Sequence, residues 1–80
     1  MLTVFVYGQV TANGRGIDGA LVSTEQGISA STFSGGYFLM CHPPGTFDMA
    51  AYKAGYKPSR RNDVALPEGG FIETNFQLQQ

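Results

Sequence analysis

The sequence predicts an all-β fold, a Greek-key sandwich of seven strands. Three observations carry that expectation. Apolar and polar residues alternate with period two in run after run, at intervals of roughly 8–12 residues. No window shows the three-and-four spacing of a helix without an intervening Gly or Pro. The 11 glycines and four prolines fall between the apolar runs, which marks tight turns and not a disordered tract.

The first strand is expected over Thr3 to Thr11, with Val4, Val6, Gly8 and Val10 on one face and Phe5, Tyr7 and Gln9 on the other. Asn13-Gly14-Arg15-Gly16 then turns the chain, because Asn and Gly both tolerate positive φ. A second strand spans Ala20 to Glu25, and Gln26-Gly27 leads to a third, Ile28 to Phe33. Ser34-Gly35-Gly36 opens the fourth, Tyr37 to Cys41, with Phe38 and Met40 on one face. Pro43-Pro44-Gly45 closes that strand and starts the fifth, Thr46 to Lys53, whose Phe47, Met49 and Ala51 share a face. The sixth, Lys57 to Leu66, is placed at an edge because of Pro58. After Pro67-Glu68-Gly69-Gly70 comes the seventh, where Ile72, Thr74, Phe76 and Leu78 alternate with Glu73, Asn75 and Gln77. The expected core is Val4, Val6, Val10, Ala20, Val22, Ile28, Phe38, Met40, Phe47, Met49, Val64, Leu66, Ile72, Phe76 and Leu78.

The 80 residues make one domain, and the 42% hydrophobic content is enough for one compact core. A net charge of −1 gives no long-range field to attract nucleic acid or an anionic membrane. The single Cys forbids an internal disulfide, so no staple is expected. No apolar run approaches the roughly 20 residues of a membrane span, and no signal peptide precedes the first strand. The expectation is a module excised from a larger protein, with Met1 as an added start residue; a complete cytoplasmic protein is the alternative.

Several pieces match one known pattern in order along the chain. They are Val6-x-Gly8-x-Val10, Gly19-Ala20-x-Val22, Thr32 followed by Gly36-Tyr37-Phe38, and Pro43-Pro44-Gly45-Thr46-Phe47. Gly55-Tyr56-Lys57, Pro67-Glu68-Gly69-Gly70 and Asn75-Phe76-x-Leu78 complete the set. In these the chain resembles the carboxypeptidase regulatory-like domains, a family of transthyretin-like (prealbumin-like) β-sandwiches. It departs from them at Gly16, where a Pro is usual, which implies a looser loop. It departs again at Phe33-Ser34-Gly35, usually rich in Asp, which leaves no carboxylate there for a cation. The resemblance implies a non-catalytic accessory module that supports, spaces or docks a larger protein, at a cell surface or outside the cytoplasm. Related domains that cross-link a first-strand Lys to a last-strand Asn are not matched, since Asn75 has no such Lys. Hydroxyisourate hydrolases of transthyretin fold need several His and Arg and a Tyr-Arg-Gly-Ser ending, whereas this chain has one His and ends Asn-Phe-Gln-Leu-Gln-Gln.

Reactive constellations are not legible. Cys41 and His42 are adjacent, so on a strand they face opposite ways, and no further Cys or His exists to complete a metal shell. They read as a half-buried thiol and a solvated turn imidazole. His42 is the one base a nucleophilic triad could use, and no elbow motif surrounds any Ser. Nothing brings Asp48 to Glu73 or Asp18 as a carboxylate pair. The glycines open no helix and so form no phosphate cradle. No enzyme activity, metal or cofactor is therefore expected. Lys57, Arg60 and Arg61 form one basic cluster, read as edge protection or as a contact for an anion or acidic partner. Phe5, Tyr7, Phe33, Tyr37 and Tyr52 all point away from the expected core. They stand as outer-face packing, as an anchor for a neighbouring domain or another protein, or as rings that stack on carbohydrate.

Overall fold

The computed structural model describes residues 3–80, so Met1 lies outside the described residues. Two sheets pack face to face. In the first, β1 (Val4–Ala12) is central, flanked by β5 (Tyr37–His42) and by β8 (Phe71–Glu73) and β9 (Phe76–Gln77), with β2 (Arg15–Gly16) folded back on its end. The second has the order β4 (Ser29–Ser31), β3 (Leu21–Thr24), β6 (Gly45–Tyr52), β7 (Ser59–Leu66). The chain crosses between sheets after β2, β4, β5 and β7. The sandwich is thus as expected, but it has nine strands among the described residues where seven were read.

Both extra strands have local causes. Asn13 (φ 53°) and Gly14 (φ 77°) form a two-residue hairpin turn, and Arg15 and Gly16 then pair with Ala12 and Thr11. The last strand runs parallel to β1 and is interrupted at Thr74–Asn75. There the Gln9 N–H donates to the Asn75 side-chain Oδ1 (2.9 Å). Gly8 permits the approach, since a Cβ at that position would stand 1.9 Å from the Thr74 carbonyl oxygen.

Eleven of the fifteen expected core residues are buried; Ile28, Phe47, Val64 and Ile72 are half-buried and pack against them. Ala12 and Ala51 join the core, and so do four polar residues, Thr24, Thr32, His42 and Thr74. None of the buried side-chain polar atoms among the described residues lacks a hydrogen-bond partner. Thr32, for example, accepts from the Ala20 N–H (2.9 Å) and donates to the Ile17 carbonyl.

Candidate functional site

The outer face of the first sheet is a grid set by register. Phe71, Phe5 and Cys41 form one row across β8, β1 and β5, and Glu73, Tyr7 and Leu39 form the next. Gln9 and Tyr37 follow, and Tyr37 is cross-paired in turn with Phe33. Thr11 and Gln77 end the grid. The apolar end is densely aromatic: Phe5 and Phe71 stack with ring centroids 5.1 Å apart, and Tyr7 meets Phe71 edge-on at 6.4 Å. Phe71 nevertheless stays 71% exposed and Leu39 54%. Neither stood out in the sequence: Phe71 directly follows the Pro67–Gly70 turn, and Leu39 lies between the core residues Phe38 and Met40.

At the other end Tyr7 and Tyr37 flank a shallow groove of about 330 Å³, lined also by Gln9, Thr11, Glu73, Asn75 and Gln77. The Gln9 Nε2 donates to the Gly35 carbonyl (2.8 Å), which fixes its amide at the groove. Four of the five expected outer rings therefore gather on one sheet. Tyr52 does not: it pairs with Leu21 on the outer face of the second sheet. Period two placed Tyr52 outside correctly but says nothing of which sheet it decorates.

The basic cluster is divided. Arg60 is opposite Ala50 and Arg61 opposite Met49, so the two guanidinium groups take opposite faces of β7, the edge strand that Pro58 foretold. Arg61 turns back over the open side of the sandwich, donating from Nε to the Asn75 carbonyl (2.7 Å) and lying 5.9 Å from the Phe76 ring. Lys57 bridges through its backbone to Gln79. The role of Arg61 is thus partly structural.

Cys41 is exposed and His42 is 1% exposed, which reverses the sequence reading of this pair. The cause is that β5 continues one residue further, so His42 follows Phe38 and Met40 on the inner face. Its Nδ1 lies 2.8 Å from the Pro43 carbonyl, which can only accept, so Nδ1 carries the proton. Nε2 is then the acceptor for the Thr24 hydroxyl at 2.8 Å. A hydroxyl and an imidazole do meet here, but Thr24 is 7% exposed, and the remaining ring nitrogen is held by a backbone carbonyl and not by a carboxylate. The Phe47 ring packs edge-on against the imidazole at 4.6 Å.

The three expected carboxylates stay apart: Glu73 accepts from the Asn75 side-chain amide (3.4 Å), and the other two serve different pieces of backbone. Asp48 Oδ1 accepts from the Asp63 N–H (3.0 Å) at the β6–β7 bulge, and Asp18 Oδ1 accepts from Gly35 and Gly36 (2.8 and 2.7 Å). The Phe33–Gly35 turn therefore does have a carboxylate beside it, supplied by Asp18 and occupied by amides. Nor is the loop at Gly16 loose. Its Cα lies against the Gly35 backbone, and a Cβ there would meet the Gly35 carbonyl oxygen at 1.7 Å.

No family model and no curated protein matches the sequence. Among solved structures, the chain is similar to a chain of a type II cohesin–X–dockerin complex (a C-terminal interface mutant) from Acetivibrio cellulolyticus. The TM-score is 0.77 at 19% identity, over 94% of this chain and 56% of that one. The likeness is one of fold, and this chain spans just over half the length of the chain it matches.

Proposed function

We propose that the domain is a non-catalytic accessory module that docks a neighbouring domain of its own parent chain, or another protein, through the outer face of the first sheet. The observation that carries this reading is the aromatic cluster of exposed Phe71 and Tyr7 around half-buried Phe5, beside exposed Leu39. Rings and aliphatics left in water on a sheet face have the composition of an interface core, where a few aromatic anchors supply most of the binding energy. The fold likeness to one chain of a cohesin–X–dockerin complex supports a docking role, and the 56% span supports a module within a larger protein. The ordered motif set described above supports membership of the carboxypeptidase regulatory-like family, with its transthyretin-like arrangement and a surface or extracytoplasmic setting.

The test is site-specific photo-crosslinking in the native host, with a photoreactive phenylalanine at position 71 and, as control, at position 62 on β7. Docking predicts one defined adduct at 71, lost on Tyr7→Asp. Equal labelling from both positions overturns the reading.

A second reading is favoured by the groove between Tyr7 and Tyr37. Two exposed rings beside the side chains of Gln9, Glu73, Asn75 and Gln77 offer stacking and hydrogen bonds to a neutral saccharide. Affinity electrophoresis through gels containing xylan, mannan or mixed-linkage glucan decides it. Retardation abolished by Tyr37→Ala supports the reading, and unretarded migration in all three gels removes it.

A further inference from the structure

Unpaired sheet edges invite other chains, and proteins usually blunt them. Most edges of this sandwich are blunted. β7 follows Pro58, carries Arg60 and Arg61, and is bent by the bulge between Phe47 and Met49. β4 has three residues, and the C-terminal strand is broken at Thr74–Asn75. β5 is different. Its six residues, Tyr37–His42, include no Lys, Arg, Asp, Glu, Pro or Gly, and their pairing with β1 has no register shift.

Hydrogen-bond parity shows which of its groups are free. The Val10 N–H donates to the Gly36 carbonyl (2.7 Å), so Gly36, Phe38, Met40 and His42 turn their backbone groups toward β1. Tyr37 exchanges two bonds with Phe33 on the opposite side (2.8 and 2.9 Å). Leu39 and Cys41, two and four residues on, turn the same way as Tyr37. Beyond Phe33 the chain leaves this edge, because β4 pairs with β3 in the other sheet. Among the described residues the N–H and C=O of Leu39 and Cys41 have no backbone partner.

We propose that a second copy of the chain covers this edge, with β5 antiparallel to β5 about a twofold axis at Met40. In that register Leu39 stands opposite Cys41 of the copy, and each such pair exchanges two hydrogen bonds. All the free groups are then used. The next outward-facing pair sets Tyr37 against Pro43, and neither leaves a backbone N–H unpaired: Tyr37 is already bonded to Phe33, and Pro43 has no N–H. A twofold axis at Leu39 instead sets Cys41 against the occupied Tyr37 and orphans its N–H. The strand also suits an identical partner. It carries no Lys, Arg, Asp or Glu to repel itself, and it sets large Leu39 beside small Cys41. This inference is independent of the docking reading, because pairing at the edge leaves the Phe71–Tyr7 face open.

Sedimentation equilibrium in reducing buffer, from micromolar to millimolar chain, tests it. The mass is expected to rise from 8.6 kDa toward twice that value. Leu39→Lys, which sets a cation beside the dyad at an exposed position, should hold the mass at the monomer while the urea midpoint stays unchanged. Phe71→Ser should leave association intact, which separates this proposal from the docking reading. Leu39→Cys then reads the register. Paired Cα atoms there lie about 5.5 Å apart, within disulfide range, so oxidation should link position 39 to position 41 between copies. A monomer mass at millimolar concentration overturns the proposal, as does predominant 39–39 or 41–41 linkage.

Discussion

At the scale of the residue, the informative positions are those where a side chain, or its lack, replaces a regular contact. His42 and Thr24 satisfy each other in the core, so removing one leaves the other buried and unpaired. Thr24→Val should cost about 1–3 kcal/mol of unfolding free energy through the orphaned Nε2. Urea unfolding measures it, and an unmoved midpoint would show that the hydrogen bond contributes nothing net. Gly8 makes a sharper comparison. Gly8→Ala drives a methyl into the Thr74 carbonyl, whereas at Gly27 (φ 85°) nothing lies near the new atom. Gly27→Ala should therefore cost about 1–2 kcal/mol of backbone strain, and Gly8→Ala more than that because a strand must move. Midpoints in the reverse order would contradict the close approach of β1 and the C-terminal strand.

At the scale of the element, that C-terminal strand is one parallel ladder with a repaired break. The Asn75 amide substitutes for the missing ladder acceptor opposite Gln9. Asn75→Ala should cost about 1 kcal/mol and speed amide exchange at Gln9, while Asn75→Asp, which keeps an acceptor oxygen, should protect that amide. Equal exchange in both variants would deny Oδ1 its role. This repair explains what period two can and cannot reveal. Alternation located the inner faces of β1, β5 and β6, because burial alone decides it there: Val4, Val6 and Val10, Phe38 and Met40, or Met49 and Ala51. It did not do so for β7, whose bulge breaks the period. It does not reveal that the ladder breaks after the Thr74 N–H, which still donates to the Tyr7 carbonyl (2.8 Å), since the alternation through Asn75 is unbroken. Nor does it reveal His42 inside, because an imidazole beside two prolines reads as a turn until Thr24 is seen to meet it. The candidate face was half legible for a related reason. Phe5, Tyr7 and Tyr37 follow from strand parity, but their union with Phe71 depends on a parallel pairing between residues 66 apart in sequence.

At the scale of the whole molecule, that pairing joins the two ends of the chain. Among the described residues β1 alone pairs with β2, β5, β8 and β9 alike, and the C-terminal segment delivers Phe76 and Leu78 to the core from the far end of the sequence. Sheet 1 cannot close until nearly the whole chain is present, so folding should be slow for a domain of this size, in milliseconds to seconds. Truncation exposes the same dependence. At about 0.05–0.15 kcal/mol per residue, 80 residues give a stability of roughly 4–12 kcal/mol. Removing a buried Phe costs about 3–5 kcal/mol and a buried Leu about 2–5, so deleting residues 76–80 removes most or all of that margin. Deleting Gln79 and Gln80 alone removes one bridge, from the Lys57 N–H to the Gln79 carbonyl, and both side chains are exposed. The short deletion should keep a cooperative urea transition with a slightly lower midpoint. The longer one should abolish the transition. A cooperative transition near the full-length midpoint in the longer deletion would mean that β1, β5 and the second sheet close a core without the final strand.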